Sequence, residues 1–377
     1  MQRRSTEPYL STYLHRKGGK LGLPISGTFE LTARCNFRCP MCYVHLDGEQ
    51  IRAAGEELTA AQWIALAREA KEEGMVFVLL TGGEPFLRKD FFEIYHALKQ
   101  MGLLISINTN GSLLDGEIRR QLLEDPPFRI NISLYGGCRE TYQNMCGQDA
   151  FDRVVGNIRA LKEAGVDVRL NLSITQYNRQ DMERIFSIAQ GLGLHVKASS
   201  YMYPSIRVNG DQYGCGNRLS AKEAAMCSVA WDRLRFTEEE YALRVKNMQN
   251  LVSSEPKECS ADLDTGVRCR AGYSSFWMSW NGRMMSCGML PTPSVNVLET
   301  GFKEAWEHIR TEVKRIQMPM ECVTCPKQEV CGVCAAVCVT ETGSFDQVPR
   351  YMCSMTDQII SMSCEEMKES TVVENAD

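Results

Sequence analysis

The stretch Cys35-Asn36-Phe37-Arg38-Cys39-Pro40-Met41-Cys42-Tyr43 places three cysteines at the spacing C-x3-C-x2-C. Cysteine thiolates hold iron–sulfur clusters, and a four-iron cluster normally takes four of them. Three thiolates on one tight loop would leave one iron without a protein ligand, and an open metal position is typical of catalytic sites. The spacing therefore favours a redox cluster with a vacant iron. The alternative is a zinc knuckle whose fourth ligand comes from elsewhere in the chain.

Composition and charge limit the functions that this chain can have. It has 377 residues, of which 44% are hydrophobic and 24% charged, as expected for a globular protein with a large α/β unit and a smaller one. The net charge of −5 provides no broad attraction to nucleic acid. The sequence has no apolar run long enough to span a bilayer and no hydrophobic segment of a secretion signal. We therefore expect a cytoplasmic protein with neither nucleic acid nor membrane as a partner.

Seventeen cysteines are unusual for a protein without an export signal. Disulfides are rare in the reducing cytosol, so metal or redox ligation is the better explanation. Three cysteines lie in the loop of residues 35–42, and ten lie from Cys259 onward. This distribution predicts two metal-rich regions that flank a packed middle.

Six strand–helix units follow one another between Gly27 and about Met202. The first predicted strand leads directly into the cysteine loop, and Thr59-Ala60-Ala61-Gln62 is a capping box that begins the next helix. The predicted strands cover residues 28–32, 75–80, 103–108, 129–134, 168–174 and 195–201. The alternation predicts a parallel sheet with right-handed crossovers, and the order alone leaves open whether that sheet is a partial barrel or doubly wound.

Two motifs together carry a resemblance to a known family. The cysteine triplet is followed by the aromatic Tyr43, and the second strand ends in Gly82-Gly83-Glu84-Pro85. This pair, each at a strand end, resembles the signature of the radical SAM superfamily. The resemblance implies a partial (β/α)6 barrel of the TIM type and a [4Fe–4S] cluster on Cys35, Cys39 and Cys42. It also implies S-adenosylmethionine (SAM) at the open iron, one-electron cleavage of its sulfonium, and hydrogen abstraction from substrate by a 5′-deoxyadenosyl radical.

The same resemblance implies roles for individual residues near SAM. Gly82 and Gly83 would let the backbone approach the methionine amine closely, and Glu84 would accept a hydrogen bond from that amine. The expected SAM-binding positions are Tyr43, Gly82, Gly83, Glu84, Pro85, Asn110, Ser133 and Asn171. Met202 and Tyr203 are candidates for contact with adenine. Tyr135, Tyr203, His195 and Arg207 are positional guesses for the substrate side, and an ordinary barrel residue is the competing interpretation of each.

The cysteines near the end of the chain resemble a SPASM domain, which carries auxiliary [4Fe–4S] clusters. Asn281-Gly282 is a hairpin signal that places Cys287 after a short strand. The resemblance implies one cluster on Cys322, Cys325, Cys331 and Cys353 and another on Cys269, Cys287 and Cys334. The fourth ligand of the latter is Cys259 or Cys338, or the position is open to substrate. The Cys331-Gly332-Val333-Cys334 step departs from the family spacing, and two zinc sites are the alternative for this region.

These patterns predict five segments. They are an N-terminal extension (1–24), a radical SAM core (25–205), a helical connector (206–258), a SPASM domain (259–364) and a polar tail (365–377).

The predicted function is the modification of a ribosomally made peptide or protein side chain by radical chemistry. Gly288 follows Cys287 where sulfatase-maturing relatives usually have Asp, so that activity is disfavoured. The extension before the first strand is too short for a peptide-recognition domain, so we expect direct binding or a separate recognition protein. A flavodoxin or ferredoxin-type reductant is expected. The alternative is a small-molecule oxidoreductase of cofactor or tetrapyrrole biosynthesis; a non-enzymatic iron–sulfur scaffold is the third possibility.

Overall fold

One continuous sheet organises the protein. The computed structural model describes residues 7–44, 46–204, 218–253, 265–290 and 292–374. The strands are β1 (Ser26–Glu30), β2 (Phe77–Thr81), β3 (Leu104–Thr109), β4 (Arg129–Ser133), β5 (Val168–Ser173), β6 (Val196–Ser199), β7 (Ser275–Met278), β8 (Arg283–Met285) and β9 (Ser294–Asn296). Their order in the sheet is β6-β5-β4-β3-β2-β1-β7-β8-β9.

Strands β1 to β6 are all parallel. The six predicted strand–helix units and the α/β class are confirmed, and the sheet has the partial-barrel architecture. Parallel strands place their carboxyl ends at one edge, where sites form in barrel folds. The cysteine loop follows β1 at that edge.

The described residues also form fifteen helices. They are α1 (Glu7–Leu21), α2 (Gly48–Ala53), α3 (Ala60–Glu72), α4 (Phe91–Gln100), α5 (Gly116–Glu124), α6 (Arg139–Cys146), α7 (Phe151–Glu163), α8 (Met182–Gly191), α9 (Ala221–Arg235), α10 (Glu238–Val252), α11 (Val297–Thr300), α12 (Phe302–Val313), α13 (Met320–Val323), α14 (Ala335–Thr342) and α15 (Arg350–Glu374). None of the helices in the described part of the chain is long and apolar enough to cross a membrane.

Alternation along the strands separates a helix-facing side from an inner side. Phe29 is fully buried and its ring centroid lies 4.9 Å from that of Trp63 in α3. The predicted capping box of α3 is present, because Thr59 and Gln62 cap each other's backbone N–H groups. On the inner side, the Asn131 amide donates to Asn108 Oδ1 at 2.8 Å. The barrel interior is therefore polar, whereas its wall is apolar.

The region assigned to a second domain shares the sheet of the first. The predicted hairpin at Gly282 is present as β7 and β8, which are antiparallel. Strand β7, however, pairs in parallel with β1, with Thr28 opposite Trp277. The sheet therefore extends without a break across the predicted boundary between core and C-terminal region.

Helix boundaries differ from the sequence-based expectation in three places. The charged connector contains two helices, because Thr237 and Glu240 form a capping box that starts α10. Helix α15 continues to Glu374, through most of the predicted polar tail. Helix α1 occupies the predicted N-terminal extension and is fixed to the sheet by a hydrogen bond between His15 Nδ1 and Ser274 Oγ at 2.9 Å.

Candidate functional site

The cysteine loop is fastened to the turn after β2 by backbone hydrogen bonds. Gly83 N donates to Thr32 O at 2.8 Å, and Glu84 N donates to Arg34 O at 2.9 Å. Both donors belong to the Gly82–Pro85 motif, and the acceptors lie three residues and one residue before Cys35. The turn after β2 is thus bonded to the segment that leads from β1 into the cysteine motif.

Glycine at positions 82 and 83 is required by this close approach. A Cβ at Gly82 would lie 2.5 Å from Thr32 O, and one at Gly83 would lie 2.3 Å from Arg34 O. Gly82 also has φ of +150°, which L side chains rarely adopt. Glycine is therefore needed at both positions because the turn packs closely against the segment before Cys35. Contact of these two glycines with the methionine amine stays a prediction.

The Glu84 side chain is fully buried and its oxygens already have partners within the protein. It accepts from Thr109 Oγ1 at 2.8 Å, from Asn110 N at 2.8 Å and from Phe86 N at 3.2 Å. Burial raises the pKa of this carboxyl group to about 7, against the lowering effect of the Asn110, Thr109 and Phe86 hydrogen bonds. Glu84 thus joins the turn after β2 to the end of β3, and its contact with the SAM amine stays a prediction. Pro85, which is also buried, begins the short 3-10 turn Pro85–Leu87.

Asn110 orients the first cysteine through a small amide network. Its Nδ2 donates to Asn36 Oδ1 at 2.8 Å and lies 3.9 Å from Cys35 Sγ. Asn36 Nδ2 in turn donates to Ser112 Oγ at 2.9 Å, and Ser112 Oγ donates to Asn110 Oδ1 at 2.7 Å. Sequence analysis singled out Asn110 but missed Asn36 and Ser112, although Asn36 lies inside the cysteine motif.

A buried arginine supports the loop from the outside. Arg88 donates to Leu31 O at 2.8 Å and to Leu58 O at 3.0 Å, and it forms an ion pair with Asp90 at 2.7 Å. Arg34 is paired with Glu57 at 2.9 Å on the same side. These contacts were not predicted, because the partners are distant in sequence and belong to no motif.

The three loop cysteines form a donor set that suits an iron–sulfur cluster. Phe37 N points at Cys35 Sγ at 3.4 Å, and Cys42 N donates to Cys39 O at 3.1 Å, so the loop is tightly folded. Burial raises the pKa of the Cys35 thiol to about 12, because desolvation disfavours the thiolate. Buried thiolates of this kind need an adjacent cation, and cluster iron provides one.

A fourth thiol lies close to this loop. A hydrogen bond with the Cys146 side chain is the main reason that the pKa of the Cys39 thiol is raised, and burial adds to it. Arg38 N donates to Cys146 O at 3.0 Å. The edge of the Phe37 ring meets Tyr142 with centroids 6.2 Å apart. Helix α6 therefore packs directly against the loop, a contact that sequence analysis did not anticipate.

The remaining positions predicted near SAM lie at the ends of the later strands. Ser133 and Asn171 stand opposite each other in the β4–β5 register, and Asn171 also stands opposite Lys197. Tyr135 lies two residues after Ser133, and burial is the main reason that its pKa is raised. Tyr43 is half-buried in the turn that ends the cysteine motif.

The other positional guesses fall in different places. Tyr203 lies beside the C-terminal cysteines, with its hydroxyl 3.8 Å from Cys334 Sγ, and its ring meets Tyr201 edge-on at 5.0 Å. His195 is exposed and precedes β6, at the opposite edge of the sheet from the cysteine loop. Met202 is half-buried beside Tyr203. Arg207 and Cys259 lie outside the described residues.

Two sets of the C-terminal cysteines lie near one another, and their division between two clusters stays a prediction. Cys322, Cys325, Cys331 and Cys353 all line one cavity of about 270 Å³. Neighbouring Cys269 and Cys334 contribute to the raised pKa of Cys287, about 11, although burial is its main cause. Cys338 is fully buried. Burial is the main reason that the pKa of its thiol is raised, and nearby Cys322, Cys334 and Cys331 add to the effect, so Cys338 lies close to both groups.

No three His, Cys, Asp or Glu side chains of the described residues converge closely enough to hold a single metal ion. A four-iron cluster binds each thiolate through a different iron and does not require that convergence. Which metal the C-terminal cysteines hold stays a prediction.

A buried acid on β1 was missed. Glu30 is fully buried on the inner face, and Trp277 Nε1 of β7 donates to its Oε2 at 2.9 Å. This bond crosses from the core strand to the C-terminal region. No motif marks it, and only the β1–β7 pairing brings the two residues together.

Residues 29–189, which include the cysteine loop and strands β2 to β5, match the family model "Radical SAM superfamily". The match shows a radical SAM domain in this part of the chain, which is less than half of its length.

Two curated relatives show how far the similarity extends. The AdoMet-dependent heme synthase of Methanosarcina barkeri is 27% identical over 345 residues, which cover 86% of this chain and 94% of that protein. A probable GTP 3′,8-cyclase of Saccharolobus islandicus is 38% identical over 169 residues, 44% of this chain and 53% of that enzyme. The second match therefore spans only about half of the enzyme it resembles.

Among solved structures, Streptococcus suis SuiB bound to precursor peptide SuiA superposes with a TM-score of 0.65 and 16% identity. The superposition covers 94% of this chain and 82% of that one. SuiB has also been solved with S-adenosylmethionine bound. At this low identity the superposition shows a shared fold alone. That shared fold extends through the C-terminal region of this chain.

Proposed function

We propose that Cys35, Cys39 and Cys42 hold the cluster at which this enzyme cleaves SAM. When bound, that cluster supplies the electron that breaks the sulfonium and yields the 5′-deoxyadenosyl radical, which takes a hydrogen atom from substrate. The observation that supports this assignment best is the bonding of the Gly82–Pro85 turn, through Gly83 N and Glu84 N, to Thr32 and Arg34. These bonds hold the turn against the segment that leads into the cysteine loop at the carboxyl edge of the sheet.

The protein groups around that unit would position SAM and exclude water. Glu84 fixes the Thr109-Asn110 corner, and Asn110 then holds Asn36 beside Cys35. Ser133 and Asn171 lie side by side on β4 and β5; Ser133 would donate to the methionine carboxylate and Asn171 would lie near the ribose. Glu84 would accept a hydrogen bond from the methionine amine with the acceptor capacity that its bonds to Thr109, Asn110 and Phe86 leave free.

SAM cleavage can be tested without knowledge of the substrate. The reconstituted enzyme, incubated anaerobically with SAM and dithionite, should release 5′-deoxyadenosine, and Cys39→Ala should abolish that release. Cys227→Ala, which alters a buried thiol of α9 remote from the loop, serves as the control. Equal deoxyadenosine release from wild type and Cys39→Ala would refute the cluster assignment.

We further propose two auxiliary clusters in the C-terminal region. One would take Cys322, Cys325, Cys331 and Cys353, which share a cavity of about 270 Å³. The other would take Cys269, Cys287 and Cys334, with Cys259 or Cys338 as the candidate fourth ligand. Tyr203, 3.8 Å from Cys334 Sγ, would lie between that cluster and the barrel interior.

For the substrate, we propose first a ribosomally made peptide or protein side chain. The two auxiliary cysteine groups and the architecture shared with SuiB, a structure solved with its precursor peptide, support this class. The second candidate is a small molecule, which the near-full-length similarity to a heme synthase favours. We propose a flavodoxin or a ferredoxin as the reductant, because the cleavage of SAM requires one electron.

The two classes can be separated by product analysis. Anaerobic turnover with a candidate peptide encoded beside the gene should change the mass of that peptide by the loss of hydrogen or carbon dioxide. Deoxyadenosine release without any mass change in the peptide would count against the first proposal and leave the small molecule.

A further inference from the structure

We infer that the Tyr142 hydroxyl and the Cys146 thiol donate hydrogen bonds to the sulfur of Cys39 and raise the reduction potential of the cluster that this cysteine holds. Both groups lie on α6, outside the cysteine motif. The inference rests on the proposed function, because it takes Cys39 as a cluster ligand. It adds the groups that set how readily that cluster accepts its electron.

Helix α6 presents one face to the cysteine loop. Tyr142 and Cys146 are four residues apart, so their side chains are neighbours on that face. The edge of the Phe37 ring meets the Tyr142 ring, and Arg38 N donates to Cys146 O at 3.0 Å. These two contacts hold the face against the two residues that immediately precede Cys39.

The same helix is also fixed on its other sides. Thr175 Oγ1, after β5, donates to Sδ of the fully buried Met145 at 3.2 Å. The Tyr142 ring contacts that of Phe151, with centroids 6.0 Å apart. The donors on α6 are therefore held in place by the packing of the protein and need no rearrangement to meet the loop.

The Tyr142 hydroxyl has unused hydrogen-bonding capacity. The side chain is fully buried, and its Oη has no hydrogen-bond partner among the described residues. The pKa of this hydroxyl is raised well above its usual value, chiefly by burial, and the neighbouring thiols of Cys146 and Cys39 add to the effect. A buried donor without a partner is costly, and a negatively charged sulfur beside it would satisfy it.

The Cys146 thiol is the second donor. It is fully buried, and a hydrogen bond with it is the main reason that the pKa of the Cys39 thiol is raised. A cysteine that ligates a metal is deprotonated, so its sulfur can only accept, and Cys146 must then donate. Each thiolate of a four-iron cluster ligates a different iron, so two ligating sulfurs do not touch each other. Contact with Cys39 therefore makes Cys146 a donor and leaves the fourth iron open.

The physical effect of two such donors has a definite sign. Hydrogen bonds to the sulfurs of a cluster offset its negative charge, and that charge increases when the cluster is reduced. Donors therefore stabilise the reduced state more than the oxidised state and raise the potential. Because both groups are fully buried, water cannot replace a donor that is removed.

Redox titration of the reconstituted full-length enzyme, followed by electron paramagnetic resonance, tests the inference. The cluster on the loop is identified by the signal that changes when SAM is added. Tyr142→Phe keeps the ring that packs on Phe37 and removes only the hydroxyl. We expect its reduction to become about tenfold less favourable, a fall of about 59 mV in midpoint potential for one electron. Cys146→Ala should also lower the potential, and Cys146→Ser, which keeps a donor, should restore most of the loss.

Tyr95→Phe is the matched control. Tyr95 is an equally buried tyrosine on α4, and its hydroxyl donates to Asp125 O at 2.7 Å. Its loss should leave the midpoint potential unchanged. In urea unfolding of the cluster-free protein the order should reverse: Tyr95→Phe unfolds at lower urea than wild type, whereas Tyr142→Phe, which loses no bond, does not. A hydroxyl with a purely structural role would not show this pair of results.

Two results would overturn the inference: a wild-type midpoint potential in Tyr142→Phe, or an equal fall in Tyr142→Phe and Tyr95→Phe. Loss of about four irons from Cys146→Ala would identify a ligand and overturn the donor role of its thiol. A wild-type enzyme without any SAM-dependent signal would refute the cluster assignment itself. Failure of the inference alone is different, because the signal is then present and its potential does not move.

Discussion

At the scale of single residues, the turn after β2 combines two opposite requirements. Gly82 and Gly83 must lack a side chain, because the backbone of residues 32–34 occupies the space that a Cβ would need. Glu84 provides acceptors at a point that is fully buried. The first requirement fixes the distance between the cysteine loop and the turn, and the second fixes the corner that carries Asn110.

Replacement of Gly83 by alanine should separate the turn from the loop. Its Cβ would lie 2.3 Å from Arg34 O, which is backbone and cannot move without shifting Cys35. We expect a destabilisation of about 1–3 kcal/mol, typical of overpacking, and at least a tenfold loss of deoxyadenosine release per iron. Gly156→Ala is the control, because a Cβ there meets nothing within 4 Å. Normal release from Gly83→Ala would mean that the close approach is dispensable.

The Glu84 carboxyl group should make stability depend on pH. Its pKa in the folded protein is about 7, above the ordinary 4.5, so between these values the folded state binds more protons than the unfolded state. The stability contributed by its protonation is therefore full below about pH 4.5 and is lost as pH rises toward 7, a change on the order of 3 kcal/mol.

Urea unfolding of the reduced, cluster-free protein at about pH 5 and about pH 7.5 measures this change. Glu84→Gln cannot titrate, so its free energy of unfolding should fall less between the two pH values than that of wild type. Parallel pH profiles for the two proteins would show that Glu84 does not titrate in this range.

At the scale of elements, sequence periodicity identified the six parallel strands because each carries apolar residues at alternate or successive positions, as in Arg129–Ser133 and Phe77–Thr81. Asn110 was predicted through the family resemblance, because it lies in a polar turn at the end of the third strand. Arg88, Glu30 and Cys146 could not be predicted, since their partners lie far away in sequence and no local pattern marks them. Helix α1 was missed because its exposed face carries tyrosine and leucine in place of a regular polar pattern.

The cavity lined by Cys322, Cys325, Cys331 and Cys353 lies between the 3-10 turn Pro326–Glu329 and α15. We expect it to hold a cluster of four irons. Cys325→Ala removes one thiolate from the group in that cavity, and the enzyme should lose about four irons out of about twelve after reconstitution. Cys364→Ser, on α15 but outside the cavity, should keep the full complement. Retention of all iron in Cys325→Ala, or a wild type with about four irons in total, would contradict the auxiliary assignment.

At the scale of the whole molecule, β1 is the strand on which the two regions depend. It pairs with β2 on one side and with β7 on the other, and it leads into the cysteine loop. Phe276 of β7 packs 6.2 Å from Phe29, and Trp277 bonds to Glu30. The sequence suggested a boundary near residue 259 because cysteine density changes there. The strand pairing crosses that boundary, because β7 pairs with the edge of β1 that β2 does not occupy.

A chain that ends at residue 253 should therefore fail to fold as an independent core. Without β7, the edge of β1 would expose unpaired backbone N–H and C=O groups beside Phe29, a template for aggregation. Glu30 would also lose the indole that satisfies it. We expect insoluble or soluble-aggregate protein by size-exclusion chromatography, whereas a chain that ends at residue 366 and keeps the whole sheet should be monodisperse. A monodisperse, cooperatively unfolding chain of residues 1–253 would show that the six-stranded unit is a separate domain after all, and that the β1–β7 pairing is an interface between two domains.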